Sequence, residues 1–171
     1  MCPIKKKKEK LHFSTALLID MQPDFVEDLL PSKAEEIIAA QITVLRHCAR
    51  SGIPVIVLEF ITHGRTLPGL WAEAERVVGM QRVIKERDDG FRGTPLSRML
   101  ADQKAKSLLL MGINASFCVF ETARTAVQLG YRIVTASDLI ADSRRDTWGG
   151  QSLWYKANGT LLSESRELAL A

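Results

Sequence analysis

Short, uninterrupted apolar runs recur along this chain, with stretches of helical period between them. Thr15-Ala-Leu-Leu-Ile-Asp20, Pro54-Val-Ile-Val-Leu-Glu59 and Ser107 to Met111 carry no alternation of apolar and polar residues. A strand with one face in water alternates. A strand that is apolar throughout is buried on both faces, as in a parallel sheet covered by helices. Parallel neighbours need a long crossover, and the intervening segments have the length and pattern to supply helical ones.

Arg82-Val-Ile-Lys85 and Tyr131-Arg-Ile-Val-Thr-Ala136 add two further strands, and Thr160 to Ser163 a sixth after the Asn158-Gly159 turn. Ser32-Lys-Ala-Glu35 has the form of a capping box, which predicts a helix with Ile38, Ile42, Leu45 and Ala49 on its buried face and Gly52 at its end. A short helix is expected around Leu70 to Val78. Another is expected from Thr94 through Leu100 with Pro95 at its first position, one from Cys118 to Gly130, and one near Gln151 to Lys156. The expected fold is three-layer α/β/α, around an open, mainly parallel sheet of about six strands.

With 171 residues, 46% of them hydrophobic, the chain reads as one globular domain over residues 13–171. It follows a basic N-terminal tail over residues 1–12 that contains Lys5-Lys-Lys-Lys-Glu-Lys10. Aromatic residues are few and not interleaved with basic ones, which argues against a nucleic-acid partner. No apolar stretch approaches the roughly 18 residues that cross a bilayer, so no membrane partner is expected. Cys2, Cys48 and Cys118 are odd in number and widely spaced. They suggest neither a disulfide framework nor a zinc site, and they suit a reducing cytoplasm.

Open parallel sheets bind ligands outside the carboxyl ends of their strands. Three reactive side chains fall there: Asp20 after the first strand, Lys85 after the third and Cys118 after the fourth. Cys118 also opens a helix, where orphan N–H groups and the helix dipole favour a thiolate. A cysteine nucleophile, an ammonium beside it and a carboxylate to carry protons make a complementary set. His12, His47 and His63 fall in the tail, a helix and a loop, so no Cys–His pair is expected.

At these residues the chain resembles the isochorismatase-like cysteine hydrolases, which include nicotinamidases and N-carbamoylsarcosine amidases. The resemblance rests on three stretches. They are Ala16-Leu-Leu-Ile-Asp-Met-Gln-Pro-Asp-Phe25; Lys85 with Asp89-Gly-Phe-Arg-Gly-Thr94 and Leu96; and Gly112 through Cys118-Val119, Thr122-Ala123 and Ala126 to Gly130-Tyr131. It implies the family's Rossmann-like fold and a catalytic triad of Asp20, Lys85 and Cys118. It also implies a cis peptide between Ile113 and Asn114, and an oxyanion hole from the amides of Asn114 and Cys118. Nicotinamidases carry an Asp-x-His pair and further histidines for a metal after the second strand. Here that region reads Glu59-Phe-Ile-Thr-His63-Gly-Arg65, so no metal and no cofactor are expected. Isochorismatases that cleave a vinyl ether lack the nucleophilic cysteine, whereas this chain has one.

The expected function is therefore a cysteine amidohydrolase that cleaves a C–N bond of a small amide or carbamoyl compound through a thioester, in a homo-oligomer as the family implies. Phe25, Phe60, Phe117 and Trp148 are candidate substrate-binding walls, with Arg65 and Arg92 as candidate partners for a substrate carboxylate. Trp71 and Trp154 are candidates for a subunit interface. Two alternatives are a catalytically idle small-molecule-binding relative and a thiol protein that reacts with oxidants. A nucleotide-binding reading lacks support, since no Gly-x-Gly-x-x-Gly follows the first strand.

Overall fold

Strand β1 (Thr15–Ile19) is buried at every position and lies in the middle of the sheet. The computed structural model describes residues 11–142 and 149–170, so Trp148 and residues 1–10 of the expected tail lie outside the described residues. The other strands are β2 (Val55–Phe60), β3 (Gln81–Lys85), β4 (Ser107–Ile113), β5 (Arg132–Ala136), β6 (Ile140–Ala141) and β7 (Thr160–Leu162). They run in the order β3-β2-β1-β4-β5-β7, with β6 paired to the end of β4, and every pairing is parallel. The order reverses between β1 and β4, which makes that junction the topological switch point where open sheets form crevices.

The apolar runs bury both faces as their composition requires. Ala16 and Leu18 of β1 join one core cluster, with α2 (Pro31–Ser51) and α3 (Pro68–Ala74). Leu17 and Ile19 join the other, with α4 (Leu96–Asp102), α5 (Cys118–Gln128) and α6 (Gly149–Asn158). The fold is thus three-layer α/β/α. A one-turn helix, α1 (Pro23–Val26), follows β1. Leu11 forms a parallel bridge with Leu168, which ties the start of the described chain to its end.

Two local expectations are corrected. Helix α2 begins at Pro31, and its cap is Leu30 with no side-chain hydrogen bond, so Ser32-Lys-Ala-Glu35 is not a capping box. Proline at the first helical position supplies the preset φ and needs no partner for a missing N–H. The buried face of α2 is also rotated, centring on Ile37, Gln41, Val44, Leu45 and Cys48. Gln41 is polar yet fully buried because its Nε2 donates to the Leu139 carbonyl at 3.0 Å. Gly52 does end the helix, in the left-handed conformation at φ 65°. Helix α4 starts after Pro95, one residue later than expected, and the Thr94 hydroxyl accepts the Leu96 N–H at 3.3 Å.

In the pairing of β1 with β4, Gly112 lies opposite Ile19 at φ 144° and close against its carbonyl. A Cβ there would stand 2.0 Å from the Ile19 oxygen. Gly112→Ala should therefore destabilise the fold by at least about 2–3 kcal/mol, through strain and forced separation of the central strands. Urea denaturation of the variant against the wild type measures the loss.

Candidate active site

The carboxyl ends of β1, β3 and β4 bring Asp20, Lys85 and Cys118 together. Asp20 follows the last residue of β1 at φ 54°, a left-handed conformation that aspartate tolerates better than most residues. Its N–H donates to the Leu58 carbonyl at 3.0 Å, which fixes it over the end of β2. Lys85 is the last residue of β3, opposite Phe60 in β2. Its ammonium lies 2.7 Å from Asp20 Oδ2, with both side chains fully buried. The same ammonium sits 4.3 Å from the centre of the Phe60 ring and donates to the Arg87 carbonyl at 3.1 Å. Strand β2 thus lies between the strands that carry the two charges, and its Phe60 supplies an aromatic surface against the ammonium.

Cys118 is the first residue of α5 and is 4% exposed. The segment before it is held at several points. The Ile113–Asn114 peptide is cis. The Ala115 N–H donates to the Ala141 carbonyl at 2.9 Å, and the Ala115 carbonyl accepts from the buried Tyr155 hydroxyl at 2.9 Å. Asp142 accepts both the Ser116 N–H at 2.8 Å and the Ser116 hydroxyl at 2.7 Å. The Asn114 carbonyl accepts the Phe117 and Val119 N–H groups at 3.2 and 3.0 Å, so the loop closes directly onto the helix. Burial pushes the Tyr155 hydroxyl up, which keeps it a donor.

The electrostatics differ from the expectation of a resting thiolate. Burial pushes the Cys118 thiol up first of all, and the Asp20 and Asp88 carboxylates push it further, while Lys85 opposes them. A helix N-terminus cannot offset desolvation with two carboxylates close by. Burial also raises the Asp20 carboxyl, with Lys85 the main opposing influence. Burial thus pushes both groups toward their protonated forms and favours the thiol over the thiolate. Cys48, on the other side of the sheet, is fully buried and pushed up to about 12 by desolvation.

Sequence reasoning missed Asp88, Gln22, Asp142 and Tyr155. Asp88 Oδ1 lies 3.6 Å from Cys118 Sγ, and the acidic pair Asp88-Asp89, in the loop that follows the strand-end Lys85, was its signal. Asp89 accepts from the Phe91 N–H at 2.9 Å and the Thr125 hydroxyl at 2.8 Å, and so docks this loop on α5. Gln22 is buried and bonds the Phe60 N–H, the Phe60 carbonyl and the Gly64 carbonyl, which clamps the loop after β2. Asp142 and Tyr155 act through the backbone around Cys118, and their spacing in sequence carries no sign of it.

Among the candidate walls, Phe25 and Phe60 form an aromatic group with His63, whose ring centre lies 4.6 Å from Phe25 and 5.4 Å from Phe60. Phe117, next to Cys118, is 60% exposed. Arg65 is engaged elsewhere, over the Trp71 ring at 4.6 Å and 3.7 Å from Glu59. Trp154 packs edge-on against Phe120 and Tyr155. Glu59 is taken up by the Thr66 N–H and Arg82, both at 2.7 Å, and His63 by Asp24 at 3.0 Å. Among the described residues, no group of three or more His, Cys, Asp or Glu side chains is arranged to hold a metal ion.

This geometry can be set beside known proteins. Streptothricin hydrolase of Streptomyces noursei is 42% identical over 59 residues, which cover 34% of this chain and 23% of that protein. The chain thus spans less than a quarter of that curated relative. Among solved structures, N-carbamoylsarcosine amidase of Thermoplasma acidophilum superposes with a TM-score of 0.75 at 20% identity, covering 91% of this chain and 98% of that one. The nicotinamidase of Staphylococcus aureus gives 0.76 at 20% identity, covering 89% and 99%. At such identities the two structures establish the shared fold. The family model described as "Isochorismatase domain" matches residues 14–155, a span that includes Asp20, Lys85 and Cys118, and the chain belongs to the isochorismatase family.

Proposed function

We propose that the protein is a cysteine amidohydrolase acting on a small amide or carbamoyl compound. The observation that carries this reading is the convergence of a buried carboxylate–ammonium pair on a cysteine at the start of a helix. The names of its relatives lend support, since streptothricin hydrolase, N-carbamoylsarcosine amidase and nicotinamidase are all described by hydrolytic names, two of them as amidases.

In the proposed cycle the Asp20 carboxylate takes the Cys118 thiol proton as Sγ attacks the substrate carbonyl. The amides of Asn114 and Cys118 hold the developing oxyanion, each such donor contributing about 3 kcal/mol. Asp20 returns the proton to the departing nitrogen, and the C–N bond breaks to leave a thioester on Cys118. Asp20 then takes a proton from water, whose oxygen attacks the thioester. The acid product leaves as Cys118 recovers its proton. Lys85 holds Asp20 in place and keeps the carboxylate charge tolerable in a buried setting.

A raised thiol suits this cycle, because the proton leaves only when a bound carbonyl is ready to receive the sulfur. The same burial weighs against the oxidant-reactive alternative, which needs an exposed thiolate. Cys48 lies in the opposite core layer and offers no resolving thiol.

Three outcomes are expected. Cys118→Ala abolishes ammonia or amine release from a panel of small amides and keeps the wild-type circular dichroism; undiminished hydrolysis by this variant would remove the covalent mechanism. Asp20 must be ionised to accept the proton, so kcat/KM falls as pH drops through its pKa. Because that pKa is raised, the acid limb lies above the ordinary aspartate range, as a pH–rate profile reads directly. Iodoacetamide should alkylate Cys118 in the free protein more slowly than a free cysteine at neutral pH. The rate should keep climbing into the alkaline range, with no plateau near neutrality.

A further inference from the structure

The cycle above needs one carboxylate, yet two stand beside the nucleophile. Asp20 is buried and matched by Lys85 at 2.7 Å. Asp88 is exposed, lies in the loop after β3, and has its Oδ1 3.6 Å from Cys118 Sγ. The loop is fixed at both ends of this residue. Lys85 Nζ holds the Arg87 carbonyl on one side, and Asp89 is bound to Thr125 of α5 on the other. The Asp88 carboxylate is therefore held against the sulfur that, in the proposed cycle, attacks the substrate carbonyl.

We infer that Asp88 is a specificity-determining residue whose carboxylate selects amides carrying a positive charge, such as an ammonium or guanidinium, near the scissile carbonyl, and turns away amides carrying a carboxylate there. This rests on the amidohydrolase reading and names the substrate class for the same site. The charge balance supports it. Asp20 and Lys85 offset each other, which among the described residues leaves Asp88 as the carboxylate in contact with the sulfur that no ion pair compensates. Arg87 and Arg92 line a separate cavity of about 500 Å³ with Ile84, Glu86 and Gly93, and neither Asp88 nor Cys118 borders it. Arg65 is spent on Trp71 and Glu59. An arriving cation would replace the weak thiol–carboxylate contact with a charge-assisted hydrogen bond and free the sulfur to attack. An arriving carboxylate would meet like charge at the point of reaction.

The test needs no identified substrate. Cys118 is modified by two methanethiosulfonates of similar size, one bearing a trimethylammonioethyl group and the other a sulfonatoethyl group. Each transfers its thioalkyl group to the cysteine as a mixed disulfide and releases methanesulfinate. Rates are read at Cys118 by peptide mass mapping, and the cation-to-anion ratio is divided by the same ratio for N-acetylcysteine amide. Dividing one rate by another cancels any change in thiolate fraction. The expected normalised ratio is about tenfold or more in favour of the cation at low salt, shrinking as salt is added. In Asp88→Asn it should collapse toward unity. A wild-type ratio near one, a preference for the anion, or a ratio that survives Asp88→Asn would each overturn the inference. Because no turnover is involved, these results stand apart from the Cys118→Ala hydrolysis assay, so failure of either reading leaves the other measurable.

Discussion

The carboxyl edge of this sheet is arranged around two opposite charges held out of water. Asp20 and Lys85 are fully buried, and removing either would strand the other at a cost of several kcal/mol. Their strands are not neighbours, since β2 runs between β1 and β3. The pair can meet only if all three strands end in register, and the parallel pairings of Leu58 with Ile19 and of Phe60 with Lys85 provide that register. Gln22 then clamps the end of β2 to the chain leaving β1. The ion pair is a geometric constraint as much as an electrostatic one.

The second constraint falls on the other side of β1. Cys118 opens α5 after β4 and is reached through a loop. That loop is held by hydrogen bonds to two separate segments, Ala141-Asp142 and Tyr155 of α6. Buried donors and acceptors of this kind rigidify because leaving any of them unpaired is costly. The placement of Cys118 is thus distributed over the end of β6 and α6, which hold the loop before it through Ala141, Asp142 and Tyr155.

This division explains what the sequence made legible. Strands β1, β2 and β4 could be read because burial on both faces leaves continuous apolar runs, and the strand ends then exposed Asp20, Lys85 and Cys118 as a group. Helix α2 was placed correctly but with its face turned, because a buried glutamine looks like a surface residue until the Leu139 carbonyl that accepts its Nε2–H is known. Strand β6, at two residues, and α1, at four, are too short for any periodicity to register. Asp142 and Tyr155 act on backbone atoms and leave no local pattern. The thiol's poise was misjudged for a related reason. A helix start is visible in sequence, whereas the desolvation and two carboxylates that outweigh it appear only when the chain is folded.

The strand order carries a consequence for how this protein comes into being. Strand β1 is made first, yet it sits at the centre, pairing with β2 on one side and β4 on the other. While a ribosome is still extending the chain toward residue 107, β1 presents an open edge of unpaired backbone on a segment, Thr15 to Ile19, that the finished protein hides completely. Such an edge is a template for other chains. The half-made protein is therefore most prone to aggregate just before β4 emerges to close it.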